Sequence, residues 1–116
     1  MNDRLELARH YLRAGNAERA YATVEGIEDA GAHADAWAIR AAAALASDRP
    51  QEAWNASVAG LELEPDSLEL LGLKAGAGAD LGALKQAESA VLACLSRLPD
   101  DPDYLCLYAD VVARDG

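Results

Sequence analysis

An all-α fold, a solenoid of antiparallel helical hairpins, is what this sequence predicts, and three observations predict it. Ala53 and Ala87 stand 34 residues apart, and so do Pro65 and Pro99. A period of that length marks stacked helical hairpins in which no single unit buries its own apolar face. Hydrophobic residues make up 52% of the chain, yet aromatics make up only 5% and Phe is absent. Much of the apolar content is therefore alanine, which favours helix formation and close helix packing. No segment shows the period-two alternation of a strand.

The elements follow in order from this register. Helices are expected at about 3–14, 17–30, 34–47, 50–63, 66–80, 84–97 and 101–114. In the first hairpin Leu7, Ala8, Tyr11, Ala17, Ala20, Val24 and Ile27 fall in step, one residue short of the later units. In the second and third, Trp37 overlies Leu71, Ala41 overlies Ala75 and Leu61 overlies Leu95. Gly15 and Gly82 supply turns inside their hairpins. Pro50 sits near a helix start, where its missing N–H leaves nothing unsatisfied. Pro65-Asp66-Ser67 ends one helix and offers polar caps for the next, and Pro99-Asp100-Asp101-Pro102 repeats the device. Leu105, Tyr108, Ala109 and Val112 open a fourth unit, with Gly116 in the place of Gly15 and Gly82. The 116 residues are read as one domain, with units at about 1–33, 34–67 and 68–101 and a partial unit at 102–116.

The stretch AWAIRAAAALASDRPQEAWNASVAGLELEPDS, with its in-phase neighbours, resembles the tetratricopeptide repeat over essentially the whole chain. That family places Trp or Leu, Leu, Gly or Ala, and Tyr on the first helix of each unit. On the second it places Ala, a bulky residue, Ala and a closing Pro. The chain departs from the pattern at Arg40 and Lys74, where the family prefers Leu, and at Ala44 and Gly78, where it prefers Tyr as in Tyr11. Ser57 and Gly60 depart as well.

The resemblance implies a non-enzymatic protein–protein interaction module whose first helices line a concave groove. Carried onto this chain, the groove holds Leu5, Ala38, Gly72 and Cys106 at one repeat place and Arg9, Ala42, Gly76 and Asp110 at a second. A third place holds Leu12, Leu45, Ala79 and Ala113. Residues four apart share a helix face, so each helix contributes one strip. The floor is small and mostly apolar, with Arg9 and Arg13 at one end, Asp80 and Asp110 towards the other, and Asp35, Glu69 and Asp103 on one rim. Family members that clamp the C-terminal carboxylate of heat-shock chaperones carry Lys and Asn where Leu5, Arg9, Ala38, Ala42, Gly72 and Gly76 stand here. The expected partner is instead an extended or helical segment of another protein with an apolar stripe. The alternative at these places is close packing with no groove ligand.

Other features are weighed on their own chemistry. Gly72, Gly76 and Gly78 each cost about 1 kcal/mol against alanine within a helix. Close helix approach accounts for Gly78, and room for a ligand backbone is the reading at Gly72 and Gly76. Arg40 and Lys74 are expected to lay their stems towards their own hairpin with the charged heads in water. Trp54 is expected to be half-buried packing. Cys94 falls at a small core place and is expected as a buried thiol.

A net charge of −10 opposes binding to nucleic acid phosphates and to anionic membranes, and suits solubility or a basic partner segment. The start, Met1-Asn2-Asp3-Arg4, shows no apolar signal region, and no 18-residue apolar run exists for a membrane span. Cytoplasm is the expected location. His10 and His33 lack metal-ligand spacing, the carboxylates are scattered, and no serine carries a nucleophile signature. No cofactor, metal or catalytic residue is expected. Leu105, Tyr108, Ala109 and Val112 form a face that a further helix would cover, expected as a boundary within a longer array or as a self- or hetero-association surface. A small acidic chaperone for one secretion-system subunit, and an assembly unit that oligomerises through the last helix, are the rival functions.

Overall fold

The computed structural model describes residues 3–115, so Met1, Asn2 and the repeat match at Gly116 lie outside the described residues. Among the described residues seven α-helices run in order: α1 Asp3–Arg13, α2 Ala17–Glu25, α3 Ala34–Ala46, α4 Pro50–Leu63, α5 Leu68–Leu81, α6 Leu84–Arg97 and α7 Pro102–Asp115. A short 3-10 turn at Ala30–Ala32 follows α2, and no strand occurs among the described residues. Consecutive helices pack as hairpins, with α3 also touching α1 and α5, and α5 touching α7. The stack is elongated, 42 × 25 × 22 Å.

Each hairpin turns in the same way. One or two residues past the helix end the chain takes a left-handed conformation, Gly15 at φ 80° and Gly82 at φ 81°. The next N–H then bonds back five residues, Asn16 to the Tyr11 carbonyl at 2.8 Å and Ala83 to the Gly78 carbonyl at 2.8 Å. The middle hairpin makes the same bond, Arg49 to the Ala44 carbonyl at 2.8 Å, with Asp48 at φ 59° in the glycine's place. This is the Schellman closure of a helix end, and an aspartate tolerates its left-handed residue less well than glycine does.

Two helix boundaries differ from expectation by two residues or more. The second helix ends at Glu25, five residues before the expected 30, and Gly26 caps it with its N–H on the Ala22 and Thr23 carbonyls. The chain then leaves the helical path, through Asp29 at φ 58°, and places Ile27 and Ala30 in the core formed by Ala8, Val24, Ala36 and Ile39. Burying those two side chains decides the end of α2. The fifth helix starts at Leu68, because Ser67 serves as its cap and accepts from the Leu70 N–H at 3.3 Å. Asp101 caps α7 similarly, accepting from Asp103 and Tyr104 N–H at 3.0 and 3.2 Å.

The helices approach closely because small residues face one another. A methyl added at Gly60 would lie 2.8 and 2.9 Å from the Leu70 methyls and 3.0 Å from Trp37 Cβ. One repeat later the same place holds Cys94, a fully buried free thiol as expected. Burial pushes the Cys94 thiol pKa up, opposed in part by Arg97. Val24, Ser57 and Val91 share a core place and are all fully buried, and the Ser57 hydroxyl is satisfied by donating to the Ala53 carbonyl at 2.7 Å.

The charged heads of Arg40 and Lys74 reach beyond their own hairpin. The Arg40 guanidinium pairs with Glu25 of α2 at 3.3 Å and stands 4.7 Å from the Trp37 ring. Lys74 lies 5.2 Å from the Trp54 ring of α4. Each cation therefore reaches the second helix of the preceding hairpin. Trp54 is partly buried, as expected.

Candidate docking faces

The first helices α1, α3, α5 and α7 stand side by side and make one face of the stack. Of the expected groove residues, Ala38 and Ala79 are buried, and Leu5, Arg9, Leu12, Ala42, Leu45, Gly72 and Gly76 are partly buried. Arg13, Asp80, Cys106 and Asp110 are exposed. The floor between them is lined by neighbouring side chains at contact distance. A methyl at Gly72 would lie 3.2 Å from Tyr104 Cε1, and one at Gly76 would lie 3.5 Å from Leu45 Cδ1. The close fit is at Gly72, whereas Gly76 has ordinary van der Waals room.

Each end of this face carries an internally paired cluster of charges. Arg9 of α1 reaches past α3 to Glu69 of α5, with Nη1 and Nη2 at 3.1 and 3.2 Å from the two carboxylate oxygens, and also lies 3.5 Å from Asp35. The hydrogen bond to Glu69 holds the Arg9 guanidinium pKa above its usual value, against the opposing effect of burial. This fork ties the first and third units across the second. The groups are a third to two-thirds exposed, so the pair contributes about 1 kcal/mol or less. At the other end Arg114 of α7 donates to the Ala79 carbonyl at 3.0 Å and pairs with Asp80 at 3.3 Å and Asp110 at 3.2 Å. A cation on the last carbonyls of α5 also complements the helix dipole.

Three contributors lie outside the expected set. Tyr104 packs over Gly72 and donates its hydroxyl to the Leu68 carbonyl at 3.4 Å. Val111 is fully buried against Ala79 and Ala87 and anchors α7. Arg114 is the third. The repeat carries a signal for the first two: Tyr104 stands 34 residues after Leu70, and Val111 stands 34 after Ala77, both buried. On α7, Leu105 and Val112 are 45% and 43% exposed and Ala109 is exposed, while Tyr108 leans into the cluster of Ala75, Ala90 and Val91.

No protein-family model matches the sequence, and no curated protein matches it. Among solved structures it is similar to the second TPR domain of human RPAP3, determined by NMR in complex with the HSP70 peptide SGPTIEEVD. The two share 21% identity at a TM-score of 0.83, over 93% of this chain and 91% of that one. The chain has the tetratricopeptide fold. That fold is an α-solenoid of helical hairpins. No helix among the described residues is long and apolar enough to cross a membrane.

Proposed function

We propose that this tetratricopeptide domain is a protein–protein interaction module that receives an extended or helical segment of another protein on the face made by α1, α3, α5 and α7. The observation that carries the reading is the composition of that face: a floor of Ala38, Ala42, Leu45, Gly76 and Ala79 lies between two ends at which Arg9 and Arg114 are already paired with carboxylates. Such a surface recognises shape and an apolar stripe. The similar RPAP3 domain, which holds a peptide, supports the class of ligand. The chaperone tail itself is a poor fit. Arg9 is the one cation at the places that the resemblance gives to the carboxylate clamp, and it is committed to Glu69 and Asp35.

The test is a display library of peptides screened against the protein. Binders are expected to lose at least about tenfold in affinity with Ala42→Arg, the equivalent of about 1.4 kcal/mol, and to be unaffected by Ser89→Arg on α6. Binders insensitive to Ala42→Arg would contradict the reading. The peptide SGPTIEEVD is expected to bind no more tightly than a scrambled version.

A second reading is favoured by the outward stripe of Leu105, Ala109 and Val112 on α7. An apolar stripe of this kind serves association between copies. Light scattering across concentration, with Leu105→Glu alongside, decides it: a mass that rises with concentration only in the parent protein supports self-association, and a constant monomer mass in both removes it.

A further inference from the structure

The second helices of the stack form the opposite, convex face, and there the first inter-repeat step contains a cleft. It has a volume of about 360 Å³ and lies among Tyr21 of α2, Trp37, Arg40 and Ala44 of α3, and Glu52 and Asn55 of α4. A second hollow of about 320 Å³ adjoins it, sharing Tyr21, Ala44 and Glu52. These volumes are within the range of pockets that accept small ligands and side chains.

The molecule itself shows what such a place holds. One step further along, Trp54 occupies the repeat place of Tyr21, Lys74 that of Arg40 and Gly78 that of Ala44. There the indole presses so close to Gly78 that an added methyl would lie 2.9 Å from Cζ3, and Lys74 stands 5.2 Å from the ring. In the first step Ala44 carries that methyl. A ring pressed as close as Trp54 would meet that methyl, and Tyr21 is 40% exposed. The remaining parts of the arrangement are in place. Trp37 is pinned by its indole N–H, which donates to the Gly31 carbonyl at 3.0 Å. Arg40 is held over Trp37 by Glu25, and its buried Nε has no hydrogen-bond partner. At the mouth stand the Glu52 carboxylate, 3.7 Å from Arg49, and the Asn55 Oδ1, which accepts from Gln51 Nε2 at 3.0 Å and keeps a second lone pair.

We infer that this convex cleft is a docking site for an aromatic side chain of a partner protein, a tryptophan or tyrosine. Its ring would enter between Tyr21 and Trp37, and its N–H or O–H would be accepted at the Glu52 and Asn55 mouth. The ring gains apolar burial against Ala44, Ala56 and Ala59 and the field of the Arg40 cation, the combination that the Trp54 step already makes internally. The polar tip keeps its hydrogen bond, which is why a tryptophan or tyrosine fits this mouth better than a leucine. The site is separate from the concave face, so its failure would leave the groove reading untouched.

N-acetyl-tryptophanamide is the probe, titrated to about 10 mM while backbone and indole N–H shifts are followed by NMR, because a lone side chain is expected to bind with a dissociation constant on the order of millimolar. Saturable shifts are expected at the Trp37 indole and at the Tyr21, Ala44, Asn55 and Ala56 amides. N-acetyl-leucinamide is expected to bind at least about fivefold more weakly. Ala59→Leu, which fills the mouth at a partly exposed position, and Tyr21→Ala, which removes an exposed wall, should each abolish saturation. Absence of shifts, equal binding of the leucine probe, or shifts that survive both substitutions would overturn the assignment.

Discussion

Between α4 and α5, Trp54 presses against Gly78 under the charge of Lys74, whereas between α2 and α3 the equivalent Tyr21 stands away from Ala44 and leaves a cleft beside Arg40. The two steps have the same backbone plan and the same kind of cation. One methyl group, with a tyrosine in place of a tryptophan, separates a filled step from an open one. In a solenoid each unit packs only on its neighbours, so a substitution this small changes one step and leaves the rest of the stack alone. That locality lets a repeat protein make a binding feature without altering its fold.

The comparison breaks most severely at the aromatic residues. Trp54→Ala removes a packed ring and is expected to cost about 3 kcal/mol, measured by chemical denaturation. Tyr21→Ala, at an exposed position, is expected to cost less than about 1 kcal/mol. Equal losses would mean that the two steps are packed alike. Next come the glycines. Gly78→Ala must push against Trp54 at 2.9 Å and Ala87 Cβ at 3.2 Å, and is expected to destabilise by about 1–2 kcal/mol despite the better helix former. Gly76→Ala meets only Leu45 at 3.5 Å and is expected to stabilise by up to about 1 kcal/mol. A stabilised Gly78→Ala would contradict the contact. The smallest effect belongs to the middle turn: Asp48→Gly relieves a left-handed aspartate and is expected to stabilise by about 0.5 kcal/mol, seen as a small rise in Tm.

Much of this architecture is legible from the 34-residue spacing. Pro50 marks the start of α4 where the structure has it, α5 and α7 begin two residues and one residue after their expected starts, and Gly15 and Gly82 mark two of the three turns. The third was hidden because Asp48 looks ordinary until it is counted against Gly82, 34 residues later. The early end of α2 depends on burying Ile27 and Ala30 against α1 and α3, a tertiary demand that overrides a helical pattern continuing to 30. The Arg9 fork to Glu69 spans 60 residues and skips a unit, so a register built on adjacent repeats does not contain it. Likewise Arg40 and Lys74 are visible as departures, but which hairpin they face depends on how the units stack.

The measurement that tests the functional account most directly is an NMR map of a display-selected peptide on the isotope-labelled protein. The account predicts shifts concentrated on α1, α3 and α5, at Arg9, Ala42 and Gly76, with α2, α4 and α6 largely unmoved. Shifts confined to the second helices would contradict it and move the working surface to the convex side.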